Sequence, residues 1–279
     1  MNKVLMKKKL VSNIFEMEVE AKGIANKAKA GQFVVIMVSE KGERIPLTLA
    51  DWSVEKGTIT LVFMVVGTSS LRLSQLEEGD DLFAVLGPLG HASDIEDYGA
   101  VIMVAGGVGT APIYPIAKSL KERGNKVISI HGARSKDLLF WQDKLASVSN
   151  EHIITTDDGS FGRKGLVTEP LKELLEADHD KIISRVYSIG PGIMMKFCAL
   201  TTKPFGVKTI VSLNPIMIDG TGMCGACRVC VHGKTKFTCI DGPEFDGHEV
   251  DWNLLTTRQR AYLNEEKCSY DKFHMECED

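Results

Sequence analysis

The rhythm of apolar positions along the chain changes near residue 97 and again near 204. Before the first change, short runs rich in β-branched and aromatic residues, such as "FVVIMV" (33–38), "TITLVFMVV" (58–66) and "DLFAVL", are separated by Gly31, Gly42, Gly57, Gly79 and Gly87. Such runs suit a pleated, half-buried surface, and the glycines allow the chain to reverse. A single helical pattern, "SSLRLSQL", interrupts them. An antiparallel β-barrel is predicted over residues 1–96.

Between 97 and 203 the pattern alternates. "AVIMVA" (100–105), "KVISIHG", "EHIITT" and "RVYSIG" read as strands, with helical spacing over 112–123 and near 136–148, 168–177 and 192–201. Alternation of this kind predicts an α/β domain with a parallel sheet. Residues 204–245 hold four of the seven cysteines within sixteen positions and read as a separate small module. Residues 246–279 are charged and partly aromatic, a helix and tail packed on this chain or on a partner. The predicted fold is therefore multidomain: barrel, α/β unit and cysteine module.

Composition narrows the partners. With 44% hydrophobic and 25% charged residues the chain is ordinary for a globular protein, and a net charge of −4 gives no electrostatic reason to expect nucleic acid or an anionic membrane. No apolar run approaches the ~20 residues that cross a bilayer. The basic start "MNKVLMKKKLVSNIF" lacks the apolar stretch and small-residue site of a secretion signal. The expected location is the cytoplasm, where thiols stay reduced and clustered cysteines read as metal ligands before disulfides. Cys198, Cys268 and Cys277 are scattered and receive no role.

Candidate chemistry sits at the breaks. "AVIMVAGGVGTAP" places Gly107, Gly109, Thr110 and Pro112 after a buried strand and before a helix, where glycines let backbone approach a pyrophosphate and the helix start offers free N–H groups. Asp157, Asp158 and Gly159, and later Gly190 and Pro191, follow two further strands and would line the same crevice. A plain tight turn remains the alternative. In "RIPLTL", Arg44 can pair with a phosphate and Thr48 can present its hydroxyl to a flat ring; in "VVGTSSL", Gly67, Thr68 and Ser69 can donate to a second phosphate. Read without a ligand, Arg44 is a solvated charge and Gly67 a hairpin residue.

The stretch "MIDGTGMCGACRVCVHGKTKFTC" (217–239) is the most informative. The plant-type 2Fe–2S spacing is C-x4-C-x2-C followed by a distant cysteine. Started at Cys224 it would need cysteines where Val229 and His232 stand; with Cys224 and Cys227 as second and third ligands, the first is Asp219 and the distant one Cys239. Ferric iron accepts a hard carboxylate oxygen. Gly220, Gly222 and Gly225 would wrap the loop closely, and Cys230 would be a small apolar strand residue. Cys224, Cys227, Cys230 and Cys239 could instead hold a 4Fe–4S cluster or a structural zinc.

In order, "RIPLT", "VVGTSS", "GPLG", "AGGVGTAP", "GARSKDLLFW", "DDGSFGRKG", "SIGPGIMM" and the cysteine module resemble the ferredoxin–NADP reductase superfamily over nearly the whole chain. Within it, the set is similar to the electron-transfer subunit of dihydroorotate dehydrogenase. It is closer to the small subunit of NADH-dependent ferredoxin:NADP oxidoreductase, also called sulfide dehydrogenase, whose known aspartate ligand favours the Asp219 register.

The resemblance implies FAD, NAD(H) and a 2Fe–2S cluster, with Thr48 at the flavin N5 edge, Pro46 and Leu47 beside the ring, and Gly67, Thr68 and Ser69 on the FAD phosphate loop. It also implies a larger flavin and 4Fe–4S partner subunit that handles NADP(H) and ferredoxin. The complex would couple NADPH, NAD and ferredoxin, or reduce sulfur or polysulfide with NADPH. Two features depart from the pattern. Ile45 stands where an arginine is common, with Arg44 one residue earlier, and no thiol precedes Gly190, only Ser188 and Ile189. Arg134, Ser135 and Lys136 could hold a 2′-phosphate, so NAD(H) rests on the resemblance alone. The alternatives are the dihydroorotate dehydrogenase subunit, against which Asp219 speaks, and a zinc-bearing scaffold.

Overall fold

The computed structural model describes residues 2–276; Cys277 lies outside the described residues. The first unit is one seven-stranded antiparallel sheet: β1 (Asn2–Val11), β2 (Ile14–Glu20), β3 (Phe33–Met37), β4 (Arg44–Ser53), β5 (Thr58–Met64), β6 (Asp81–Leu82) and β7 (Ala84–Leu89), in the order β6-β1-β2-β5-β4-β3-β7. β6 and β7 lie at opposite ends of that order, yet Phe83 alone separates them in the chain. The sheet must therefore curl until its ends nearly meet, which hides the unpaired edges. The short helices α1 (Lys22–Ala25) and α2 (Thr68–Gln75) lie between strands.

Strand alternation sorts the residues of β3 and β4. Val34, Ile36 and Leu49 are fully buried in the barrel core, with Ile45 and Leu47 packed against them. Phe33 and Val35 point the other way, into a separate cluster. By the same parity Arg44, Pro46 and Thr48 lie on the outer face, opposite Met37, Val35 and Phe33 respectively.

The second unit is a sheet of β8 (Ala100–Gly106), β9 (Lys126–Ala133), β10 (Glu151–Thr156), β11 (Arg163–Lys164), β12 (Ile183–Ile189) and β13 (Lys208–Ser212). After a two-stranded ribbon, β14 (Arg228–Val231) and β15 (Lys234–Phe237), the chain returns with β16 (Glu244–Asp246) at its edge. The order is β11-β10-β9-β8-β12-β13-β16, parallel except for the last pair. Helices α3 (Thr110–Glu122), α4 (Gln142–Ser147), α5 (Thr168–Ala177) and α6 (Gly192–Thr202) complete it. The parallel sheet runs past residue 203, where the sequence pattern ends it. β13 is only five residues long, with polar Thr209 at one of its two buried positions, so its apolar pattern is too short to separate it from a loop. β8 has β9 on one side and β12 on the other, so strand order reverses there and leaves a crevice beyond the strand ends.

The cysteine module is held between the two units. Val229, Val250 and Leu255 pack with Met195 of α6 and Val211 of β13, while Cys227, Cys239 and Met217 pack with Phe33 and Val35 of the barrel. α7 (Thr238–Asp241) carries Cys239, and α8 (Trp252–Gln259) and α9 (Leu263–Glu276) follow. Among the described residues, no helix is long and apolar enough to cross a membrane.

Candidate functional site

The turn after β8 and the loop after β12 are packed so tightly that Gly109 and Gly190 have no room for a side chain. A Cβ on Gly109 would lie 2.1 Å from the Ile189 carbonyl oxygen, and one on Gly190 would lie 2.7 Å from the Met194 methyl and 3.0 Å from the Gly106 oxygen. The predicted Gly107, Gly109, Gly190 and Pro191 are thus two loops in mutual contact at the order reversal, not separate turns. Gly107 is different: its φ is +53°, and nothing lies within 4 Å of the position a Cβ would take. That open side is the one a nucleotide can approach. Pro112 sits in the first turn of α3, where its missing N–H costs nothing.

Behind the turn is a group that the motifs do not announce. Buried Thr110 donates its hydroxyl proton to the Gly107 carbonyl at 2.9 Å, and its Oγ1 also lies 2.9 Å from His131 Nε2. Thr110 has one proton and has used it, so Nε2–H must be the donor and Nδ1 the bare nitrogen. His131 Nδ1 is buried with no hydrogen-bond partner among the described residues. Burial, with the nearby His152 second, pushes the His131 pKa down to about 3. The ring is neutral when folded and protonates readily only when unfolded, near 6.5. Its contribution to stability is complete above that value and is lost as pH falls toward 3, by about 1.4 kcal/mol per unit. Urea midpoints of the parent chain should therefore fall steadily between pH 6.5 and 4. His131→Gln, which keeps a donor at the same reach, should show a shallower decline.

The loops after β9 and β10 are tied together. Asp158 Oδ1 accepts from the Ser160 hydroxyl (2.7 Å) and N–H (2.9 Å), which lowers the Asp158 pKa, and Ser160 Oγ accepts from the Lys136 N–H at 2.8 Å. Asp157 and Asp158 donate their N–H groups to the carbonyls of Ala133 and Arg134. Arg134 and Lys136 remain exposed.

On the barrel, Pro46 and Thr48 are half-buried and Arg44 exposed, all on the outer face of β4. Leu47 packs toward the core, so only its backbone borders that face. Ala50, next in the same parity, shares a cluster with Val108 and Ala111 of the nucleotide turn. The outer face of β4 thus runs directly into that turn. Gly67 caps α2 in an extended conformation. Ser70, absent from the predicted set, fixes the loop: its Oγ accepts from the N–H groups of Val66 (2.9 Å) and Gly67 (3.1 Å) and donates to the Gly67 carbonyl. Only the second serine of "GTSS" hints at it. Ser69 donates its hydroxyl to the Glu43 carboxylate.

In the cysteine module, Cys227 and Cys239 are buried with their sulfurs 3.2 Å apart. Asp219 Oδ2 accepts the Cys224 N–H at 2.7 Å and Oδ1 the Thr221 N–H at 2.5 Å; these bonds, the Thr221 one foremost, hold its pKa down. Backbone N–H groups point at sulfur: Ala226 to Cys224 and Cys239 to Cys227, both at 3.5 Å, with Gly222 directed at Cys239. Burial, then Cys227, raises the Cys239 thiol to about 12, so a metal must displace its proton on binding. Gly220, Gly222 and Gly225 all have φ between +68° and +86°. A Cβ on Gly220 would meet Val35 at 2.7 Å, which presses this loop against the outer barrel face.

Among the described residues no three His, Cys, Asp or Glu side chains are already gathered as a closed metal site. The donors fit an iron–sulfur cluster nonetheless: sulfurs facing backbone N–H groups on a glycine loop are the environment such clusters need. They do not fit the four-thiolate alternatives. Cys227 lies in the turn before β14, whereas Cys230 is on the strand itself, on the face opposite buried Val229 and paired with Thr235. Thiolates sharing one tetrahedral ion must converge on a single point.

Comparison with known proteins agrees with this division. The model for the iron–sulfur cluster binding domain of dihydroorotate dehydrogenase B matches residues 214–251, and that for the oxidoreductase NAD-binding domain matches 103–199. A dihydroorotate dehydrogenase B (NAD(+)) electron transfer subunit homologue of Thermotoga maritima is 48% identical over 98% of this chain and 95% of its own. The electron transfer subunit of dihydroorotate dehydrogenase B from Clostridium perfringens is 32% identical over 87% of this chain and 94% of its own. A solved structure, from work on flavin-based electron bifurcation by the NADH-dependent reduced ferredoxin–NADP oxidoreductase, superposes with a TM-score of 0.91 at 48% identity, covering 98% of both chains. The chain therefore belongs to the dihydroorotate dehydrogenase B electron-transfer subunit family, oxidoreductase subunits of the ferredoxin–NADP reductase fold that use FAD, NAD(H) and a 2Fe–2S cluster.

Proposed function

We propose that this chain is the NAD(H)-facing arm of a complex that couples NADPH, NAD and ferredoxin by electron bifurcation. One observation carries the order of its parts. The outer face of β4 touches the nucleotide turn through Ala50 and presents Thr48 and Pro46 two and four residues further back, one strand away from the Val35 side chain that meets the cysteine loop. A ring resting on Pro46 and Thr48 would have the nicotinamide turn at one edge and the cluster loop within about one strand spacing. When bound, these groups supply hydride transfer at nicotinamide, single-electron transfer at the cluster and exchange between the two at the flavin.

In this reading Arg44, Gly67, Thr68 and Ser69 hold the flavin phosphates. Gly107, Gly109, Thr110, Pro112, Asp158, Gly190 and Pro191 form the NAD(H) crevice. Asp219, Cys224, Cys227 and Cys239 bind iron. Cys224 is exposed and Met223 beside it is 89% exposed, which leaves an exit toward a larger subunit carrying further flavin and 4Fe–4S groups. Ferredoxin would be reached through that subunit, and reduction of sulfur or polysulfide with NADPH is a further activity of the same complex.

The second reading is the electron-transfer subunit of a dihydroorotate dehydrogenase, favoured by the names of several relatives. Asp219 supports the first, together with the higher identity to the chain from the bifurcation study than to the Clostridium perfringens subunit. Anaerobic co-purification separates them. The expected result is a yellow-brown complex with a larger flavin subunit, whose flavin bleaches with NADH and which reduces ferredoxin with NADPH when NAD is present. Co-purification with a dihydroorotate-oxidising subunit, or a flavin on this chain that NADPH bleaches and NADH does not, would overturn it.

A further inference from the structure

α8 packs against the cysteine module through Leu255, but α9 belongs to none of the three units and has no apolar stripe to hold it. From Leu263 to Lys272 it is exposed except at Tyr270. A helix so placed gains little from burial, so its position rests on specific contacts. Those contacts fall on α2: Ser269 Oγ lies 2.9 Å from Thr68 Oγ1, and the Arg72 guanidinium stacks 4.6 Å from the centre of the Phe273 ring. Both therefore engage the helix that starts at Gly67, the loop assigned above to flavin phosphates.

Between α9, α2 and the turn after β3 is a cavity of about 210 Å³, lined among others by Lys41, Glu43, Thr68, Ser69, Arg72 and Ser269. Lys41 and Arg72 suit a diphosphate, the Thr68–Ser269 hydroxyl pair has one proton left to donate to it, and the Glu43 carboxylate, which accepts from Ser69, suits the ribose hydroxyls, which donate to it. FAD exceeds FMN by an adenylate, so the second phosphate and the ribose that this chemistry suits are present in FAD and not in FMN.

We infer that α9 is a strap closing the adenosine-diphosphate end of the flavin site, with Ser269 a residue of that site and Phe273 holding the Arg72 fork in place. The strap makes the barrel select FAD over FMN. It rests on the flavin reading of the barrel, and adds that a segment some 200 residues distant in sequence completes it.

The test uses the full-length chain freed of flavin and titrated with FAD and with FMN, following flavin fluorescence. In Ser269→Ala/Phe273→Ala the FAD dissociation constant should rise about tenfold, the combined loss of a hydrogen bond and a cation–π contact. FMN binding and cluster absorbance should stay at parental values. Ser269→Thr, which keeps the hydroxyl, should bind FAD as the parent does. Unchanged FAD binding in the double variant overturns the strap, as does equal weakening for FAD and FMN, which would place the effect in the fold. A parent chain that takes up neither flavin would sink the flavin reading itself, and the strap with it.

Discussion

Replacing Cys227 or Cys239 with serine is expected to yield a folded chain without iron, whereas Cys230→Ser keeps two irons and two sulfides. The difference is positional. Cys227 and Cys239 face each other in a pocket walled by Phe33 and Val35, and each sulfur is approached by a backbone N–H. Serine fits the volume, so folding persists, but a hydroxyl holds its proton far more firmly than a thiol and is a poor ligand for the softer iron–sulfide core. Cys230 sits on β14, out of step with buried Val229, and points to the other face of the ribbon. Asp219→Cys should retain the cluster with stronger visible absorption, because a fourth thiolate adds sulfur-to-iron charge transfer, and with a shifted potential. Iron and sulfide analysis with visible and low-temperature magnetic resonance spectra reads all four variants. Loss of iron in Cys230→Ser would reject the ligand set.

Gly109→Ala should nearly abolish reduction by NADH, and Gly107→Ala should weaken it without loss of the fold. Gly109 has an ordinary helical φ of −62°, so backbone preference does not require glycine there. Space does: the new methyl would stand 2.1 Å from the Ile189 oxygen and 2.6 Å from its carbon, and backbone cannot rotate aside as a side chain can. The loop after β12 must shift, opening the contact that defines the crevice. Overpacking of this kind costs about 1–3 kcal/mol, several degrees in the unfolding midpoint. At Gly107 the methyl enters open space, and the cost is the left-handed backbone, about 1–2 kcal/mol. There the loss falls on the ligand, because the methyl occupies the side from which a nucleotide approaches. Thermal midpoints and NADH dissociation constants separate the two. Parental NADH affinity in Gly109→Ala would remove this turn from the site.

What could be read from the chain alone follows from local chemistry. The helix at 168–177 and the strand at 151–156 appear at the expected residues, because apolar spacing and β-branched content act within a few neighbours. The glycine turn and the paired strand-end loops were legible for the same reason: each is a short motif whose backbone needs glycine.

Other features were settled by folding in three dimensions. β13 and β16 join the nucleotide sheet across the cysteine excursion. His131 lies behind the turn through a pairing of β9 with β8 that no local pattern encodes. Ser269 reaches Thr68 from the far end of the chain. Above all, alternation marks Phe33 and Val35 as strand residues, but only barrel closure and the wedging of the cysteine loop between two domains bring them between the outer face of β4 and that loop. Periodicity reports which way a side chain points within its own element. What it points at depends on long-range contacts, whose partners are chosen by the whole chain at once.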